Sequence, residues 1–348
     1  MDYFVTKHGV DYPDGAKSAV LEDSIMQKGY PVTAGSKMLE NFISPINATV
    51  VSRIEAAGVA ILGKTKMDEF GAGGIFPDSQ VALIGDKGTT SGAVAAVADG
   101  VATFALCNDY TGAISREAAK NGLYYLHPTY GTVSRYGLIP AVGSIDQIGI
   151  VCKTPEAGFE ALSIIAGHDK KDGAMLATAT SLLLPNELRI NNPSDEAKPK
   201  YYDLYEQIMQ VLCCAELANN ISRYDGIKYG YRASEYKDLQ ELYINSRTEA
   251  FGINTKLAAI AGAMVLSQEN YLRLYDKAMR IRRLIKDSLD FDKCDAIVLK
   301  GTDLAALALP RLCGLPAITM PYGESAVTIV AAPQREDILM AALEAVEL

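Results

Sequence analysis

The chain has 348 residues, of which 49% are hydrophobic, and its formal net charge is −9. This length can bury one large core, or a core and a lobe, whereas the acidic balance excludes a general attraction to phosphate backbones. We therefore predict no direct nucleic-acid partner.

Apolar periodicity in the first half of the chain alternates between helical and strand patterns. The predicted elements are helices at 47–58 and 91–99 and strands at 59–62 and 101–106. Gly58 is the predicted stop of the first helix, because glycine accepts the backbone conformation that ends a helix. A later helix is predicted to be capped by Thr154, to carry Pro155 at its first position and to end at Gly167.

The second half changes character at residue 169. Residues 169–200 are rich in proline and polar residues, which predicts a surface excursion or a loosely held linker. The remaining predicted elements are helices at 201–221, 269–289 and 336–346 and strands at 296–299 and 326–331. The alternation predicts an α/β fold. We predict one domain, 1–348, in which 169–290 forms a less regular, largely helical lobe.

The sequence indicates neither a membrane segment nor a metal site. Met1 is followed by no basic or apolar leader, and no apolar run approaches the ~18 residues that span a bilayer. The six cysteines and three histidines lack the spacing of metal ligands. We predict a cytoplasmic protein with reduced core cysteines, no membrane partner, no metal and no cofactor.

Several ordered motifs carry a resemblance to a known family. They are Gly-Lys-Thr-Lys-Met-Asp-Glu-Phe at 63–70, Gly-Thr-Thr-Ser-Gly at 88–92, Asp-Tyr-Thr-Gly-Ala at 109–113 and His-Pro-Thr-Tyr-Gly at 127–131. Together they resemble the amidase signature family, and further segments at 35–42, 246–249 and 314–318 resemble its branch of A-type subunits of glutamyl-tRNA(Gln) amidotransferase. The resemblance implies a mixed, twisted central sheet covered by helices on both faces. It also implies amidotransferase B- or C-type subunits as partners, with a homo-oligomer as the alternative.

The resemblance implies a catalytic triad that this chain keeps only in part. The family uses a serine nucleophile, a bridging serine and a lysine that acts as base through the bridging hydroxyl, because a weak hydroxyl nucleophile needs an adjacent base. The lysine falls on Lys64 and the bridging serine on Thr89. The nucleophile falls on Ala113, or on Ile114 if the register slips by one residue, and neither side chain can attack a carbonyl.

The substrate anchors implied by the resemblance are also replaced. The family's arginine for the glutamine carboxylate falls on Leu257, and its aspartate for the amino group falls on Ala305. A further family arginine, two residues after the nucleophile, falls on Ser115. Loss of a catalytic serine typically costs on the order of a millionfold in turnover, which a retained Lys64 does not offset.

Three functions remain open from the sequence. The leading hypothesis is a catalytically impaired pseudo-amidase that acts by binding a protein or a ligand. The alternative is an active glutamine amidase, or an amidotransferase subunit supplying ammonia, in which Ser115 or Thr111 is an altered nucleophile. The third is a small-molecule sensor that uses the old pocket. For Lys64 we expect pairing with a carboxylate, Asp109 being one candidate, since a buried unpaired lysine is costly.

Overall fold

The central feature of the fold is one mixed sheet. The computed structural model describes residues 3–9, 13, 15–76, 81–84, 88–177, 184–185, 187–191 and 198–345. Within them the sheet has ten strands: β1 (Phe4–Lys7), β2 (Ser18–Glu22), β3 (Ala60–Thr65), β4 (Phe104–Asn108), β5 (Tyr124–His127), β6 (Ile148–Cys152), β7 (Ile190–Asn191), β8 (Ala296–Lys300), β9 (Ala317–Tyr322) and β10 (Ser325–Ala331). Their spatial order is β1-β3-β2-β4-β6-β5-β9-β10-β8-β7. β2 runs parallel to β3 and β4, and β7 parallel to β8, while the other pairs are antiparallel.

Helices cover both faces of this sheet. The described α-helices are α1 (Thr49–Ala56), α2 (Gly92–Ala98), α3 (Ala113–Lys120), α4 (Pro155–Ile165), α5 (Tyr205–Ile221), α6 (Leu239–Ala250), α7 (Ile253–Leu266), α8 (Lys277–Asp287), α9 (Leu304–Cys313) and α10 (Glu336–Ala345). In β4, Phe104 and Leu106 join a core with α1, α4 and α10. Ala105 and Cys107, which point to the opposite face, join a core with α2 and α3. The α/β fold expected from the sequence is confirmed.

A third apolar core lies under the helices of the second half. It joins α5, α7, α8 and α9 to the 3₁₀ segment Glu69–Ile75 and to buried residues of β8 and β10. Glu69 links the two parts of the chain, because its carboxylate accepts hydrogen bonds from Ser36 Oγ (2.6 Å) and from Gly252 N (2.7 Å) just before α7. That residues 1–348 form a single domain stays a prediction. No described helix combines the length and apolarity that a bilayer crossing requires.

Most predicted elements lie within one to three residues of the observed ones. Thr154 caps α4 as expected, accepting a hydrogen bond from Ala157 N at 3.4 Å, but the helix ends at Ile165, before Gly167. The predicted helix 269–289 is instead a π-helical turn, Leu272–Asp276, followed by α8. The excursion 169–200 contains the edge strand β7, which was not predicted from the sequence. Residues 178–183, 186 and 192–197 of that segment, and residue 346 of the last predicted helix, lie outside the described residues.

One glycine fixes how closely α2 approaches the sheet. All residues of α2 except its last are buried, and a Cβ on Gly92 would lie 2.6 Å from Tyr3 O and 2.9 Å from Lys66 O. Since real Cβ atoms do not approach that closely, only glycine fits at this position. The loop that precedes α2 and carries Thr89 is therefore held against β3.

Candidate active site

Lys64 lies on β3 with its side chain fully buried. Its ammonium donates a hydrogen bond to the Ile25 carbonyl oxygen and lies 3.9 Å from Asp23 Oδ1. Burial lowers the pKa of Lys64 to about 8, although the negative charges of Asp23 and Glu22 oppose the shift. The expectation that Asp109 is its partner is wrong: the carboxylate beside Lys64 is Asp23.

The two acidic residues next to Lys64 are also buried. Glu22 accepts hydrogen bonds from Ser24 Oγ (2.6 Å) and Asn108 N (3.0 Å), and burial raises its pKa to about 7. Burial likewise raises the pKa of Asp23, against the opposing charge of Lys64. One oxygen of Asp23, Oδ1, accepts no hydrogen bond within the described structure. This side of the site therefore holds three buried ionisable groups whose pKa values are each shifted toward the uncharged form by burial.

Thr89, at the bridging position, forms its hydrogen bonds with residues other than Lys64. Its hydroxyl donates a hydrogen bond to the Glu117 carboxylate on α3 and accepts one from Ser91 N at 3.0 Å. Glu117 also accepts from Thr90 N (3.0 Å) and Thr90 Oγ1 (2.6 Å). No hydrogen bond between described atoms joins Thr89 to Lys64, so the proton path that the resemblance implies is not formed in this arrangement.

Ala113, at the nucleophile position, is the first residue of α3. The Asp109 carboxylate accepts hydrogen bonds from Gly112 N (2.8 Å) and Ile114 N (3.2 Å), and Thr111 Oγ1 accepts one from Ala113 N at 3.3 Å. Free N–H groups at such a helix start could stabilise the oxyanion of an acyl-transfer reaction. Here the N–H groups of Gly112, Ala113 and Ile114 already donate hydrogen bonds to the side chains of Asp109 and Thr111.

Ser115 belongs to a closed, buried network with Asp109 and Arg311. Its hydroxyl donates to Asp109 Oδ2 at 2.6 Å and accepts from Arg311 Nη2 at 2.5 Å. Arg311, 2% exposed on α9, also pairs with Asp109 Oδ2 at 2.6 Å. Burial alone would raise the pKa of Asp109, but Arg311 and the hydrogen bonds from Ser115 hold it below its ordinary value. The Ser115 hydroxyl is thus fully engaged and fully buried.

A small cleft lies in front of the start of α3. Its volume is about 230 Å³, and its lining includes Thr111, Ala113, Asp68 and Gly74, but neither Lys64 nor Thr89. A Cβ on Gly74 would lie 2.3 Å from Thr111 Oγ1 and 3.1 Å from Ala113 Cβ, so the backbone there packs directly on both side chains. Burial raises the pKa of Asp68 to about 6. Within the described residues no group of three or more His, Cys, Asp or Glu side chains could hold a metal ion.

Comparison with known proteins places the chain in a family. A profile of the family described as Amidase matches residues 19–79, 87–193 and 189–311. The chain is 34% identical to the A-type subunit of glutamyl-tRNA(Gln) amidotransferase from Lachnoclostridium phytofermentans, in an alignment that covers 90% of this chain and 77% of that protein. It is 33% identical to the protein of the same name from Wolinella succinogenes, covering 90% and 84%. The chain belongs to the amidase signature family.

Solved structures agree with the amidase fold. The A-type subunit of glutamyl-tRNA(Gln) amidotransferase from Thermotoga maritima superimposes with a TM-score of 0.71 at 23% identity, over 95% of this chain and 84% of that one. A structure described as a vestigial protein complex that reveals the origins of an s-triazine catabolic enzyme gives 0.76 at 20% identity, over 98% and 89%. At these identities the likeness shows the fold alone.

The two anchor positions implied by the resemblance are not part of the cleft. Leu257 is 46% exposed on α7, and Ala305 is half-buried on α9 against the third core. Neither lines the cleft beside Ala113. The roles of all six positions singled out from the sequence stay predictions. Arg311 was not predicted as a site residue, although it is the lone charge in the otherwise apolar helix Leu304–Cys313.

Proposed function

We propose that this chain is a catalytically impaired relative of the amidotransferase A-type subunits that acts by binding, with a protein favoured over a small ligand as the partner. The observation that carries the proposal is the absence, among the described residues, of a free hydroxyl beside Lys64. Position 113 is alanine, and the hydroxyls of Thr89 and Ser115 are bound to carboxylates. A general base must lie within hydrogen-bond reach of the hydroxyl that it deprotonates, which is about 2.6–3.2 Å between the two heavy atoms.

The alternative, an active amidase with an altered nucleophile, has less support. Ser115 has no exposed surface, and its hydroxyl is held by a carboxylate and a guanidinium, so a substrate carbonyl has no route to it. Thr111 does line the cleft, but its oxygen accepts from Ala113 N, and no described base hydrogen-bonds to it. Of the two altered nucleophiles considered, Thr111 is therefore the one that an activity test must address.

The small-molecule sensor also has less support than protein binding. A cleft of about 230 Å³ lies below the roughly 300–1,000 Å³ of ordinary ligand pockets. Tyr110, which lines it, is fixed in place because its hydroxyl donates to the Phe70 carbonyl at 2.9 Å. A ligand confined to this cleft would therefore have to be very small.

The test is glutamine hydrolysis by the purified chain, read as ammonia released. We expect no release above that of the Lys64→Met and Thr111→Val variants, with a catalytically active A-type relative as the positive control. We also expect no covalent adduct after treatment with a serine-reactive sulfonyl fluoride, read by intact-mass spectrometry. Turnover that Lys64→Met or Thr111→Val abolishes would overturn the proposal in favour of an active enzyme.

For the partner we propose an amidotransferase B- or C-type subunit or a second copy of this chain, in the cytoplasm and in the context of translation. The support is that the relatives are named as subunits, which is said of those proteins. Co-purification of the tagged chain from its native cell separates the two. Recovery of B- or C-type subunits supports the first, recovery of the untagged chain alone supports the second, and recovery of neither argues against both.

A further inference from the structure

Helix α7 is apolar on both of its sides. Its sequence, Ile253–Leu266, contains a single charged residue, Lys256. One side is packed closely against α5, because a Cβ on Gly262 would lie 2.1 Å from the Cys214 carbonyl oxygen. An ordinary surface helix would be polar on the opposite side, and α7 is not.

The outer side of α7 carries an exposed apolar stripe. Its four members within the helix repeat at intervals of four, three and four residues, which places those four on one helical face. They are Ile253 (66% exposed), Leu257 (46%), Ile260 (70%) and Met264 (55%), followed just beyond the helix by Tyr271 (43%) and Leu272 (71%). Within the described structure these six side chains remain open to solvent. We call them the α7 stripe.

The size of the α7 stripe indicates an interface. Six side chains of this size and exposure present on the order of 600 Å² of apolar surface, which is at the upper end for an ordinary monomer. If the stripe met an identical stripe, about 1,200 Å² would be buried in total, which reaches the lower limit of specific protein interfaces. A second copy therefore supplies enough area for a stable, if modest, dimer.

We propose that the α7 stripe binds the α7 stripe of a second copy of this chain, with the two helices antiparallel about a two-fold axis close to Ile260. A two-fold contact brings the same patch from both copies together, so a stripe with Ile260 near its middle complements itself. The stripe carries no charge, so two acidic chains can meet there without placing like charges face to face. Half-exposed Ala261 and exposed Ala263 lie beside the stripe and let the two helices approach closely.

The dimer is independent of whether the chain hydrolyses glutamine, since no stripe residue touches Lys64 or the Ala113 cleft. Sedimentation velocity at micromolar concentrations tests it directly. We expect the wild-type chain to be a dimer and the Ile260→Glu variant to be a monomer, with its dissociation constant raised at least about 100-fold because the two-fold axis places the change twice in one interface. Unchanged circular dichroism and melting temperature would show that the variant is folded.

A matched control comes from an exposed isoleucine elsewhere. Ile43 is 52% exposed and does not belong to the α7 stripe, so Ile43→Glu should leave the dimer intact. As a second readout, Ile260→Cys should form a disulfide-linked dimer under mild oxidation and Ile43→Cys should not; the native cysteines are all buried. A monomeric wild-type chain, a dimer that survives Ile260→Glu, or a stripe that binds only a different protein would each overturn the proposal.

Discussion

The two sides of the candidate active site treat buried charge in opposite ways. At the start of α3, Asp109 and Arg311 form a complete ion pair in which the carboxyl pKa is held below its ordinary value. At β3, Lys64 has a pKa of about 8, Glu22 has one of about 7, and Asp23 keeps an oxygen without a hydrogen bond. The comparison shows that the Asp109–Arg311 pair is a structural ion pair, whereas Lys64 and Glu22 on the β3 side titrate near neutral pH.

The largest expected loss of stability follows from breaking the Asp109–Arg311 ion pair. Arg311→Met should leave the Asp109 charge buried without a partner and lower the free energy of unfolding by about 3–5 kcal/mol. Urea denaturation at pH 7 measures the loss. Arg283→Met is the matched control, because Arg283 is exposed in its pair with Asp287, and it should leave the stability unchanged within error. A loss of stability well below this range would show that Asp109 is not a buried charge that depends on Arg311.

The next effect is a pH dependence on the β3 side. The pKa of Glu22 is 4.5 when unfolded and about 7 when folded. Its contribution to stability is therefore full below pH 4.5 and is lost as pH rises through 7. The free energy of unfolding of the wild type minus that of Glu22→Gln should fall by about 3 kcal/mol between pH 4.5 and 8.

Two features make this pH comparison selective. Asp68, with a raised pKa of about 6, titrates in the same window but is present in both proteins and cancels in the difference. Asp172→Asn is the control, because the pKa of Asp172 is lowered by its pair with Arg135 and it stays ionised above pH 4.5. If the stability difference between wild type and Glu22→Gln did not change with pH either, Glu22 would not be the titrating group.

A smaller effect is expected for Lys64 itself. Lys64→Met removes one hydrogen bond to the Ile25 carbonyl and leaves Asp23, which can take up a proton because burial already raises its pKa. We expect a loss of about 1–2 kcal/mol in urea denaturation at pH 7. If Lys64→Met lowered the free energy of unfolding as much as Arg311→Met does, Lys64 would also be a structural ion-pair residue.

No effect on activity is expected from restoring a serine at the nucleophile position. Ala113→Ser supplies a hydroxyl, but Thr89 stays bound to Glu117 and Lys64 to Ile25, so no base reaches it. Ammonia release from glutamine should remain at background in this single variant. Measurable turnover in the variant, absent from wild type, would show that the two sides can still act together.

The sequence was sufficient for the fold class, because the signals for that class are local or repeated many times. Strand and helix periodicity predicted the α/β alternation, and Thr154 with Pro155 marked the start of α4. The short edge strand β7 was missed, because two residues give no periodicity to read. The π-helical turn at Leu272–Asp276 was missed as well, since it has the composition of an ordinary helix.

The candidate site was less predictable because its partners are distant in sequence. Arg311 reaches Ser115 across 196 residues and Asp109 across 202. Lys64 reaches Ile25 across 39 residues through a main-chain oxygen, which has no residue-type signature. Motif positions identify which residues occupy the site, but they do not say which neighbours those residues bind.

The Asp109–Ser115–Arg311 network also limits which substitutions the chain accepts at position 115. The side chain there has no exposed surface, and its hydroxyl lies between a carboxylate and a guanidinium. An arginine at 115, which the resemblance implies for the family, would bring a second guanidinium into a pocket that Arg311 already occupies. Positions 115 and 311 are therefore coupled, because either single exchange leaves the buried Asp109 with two cations or with none.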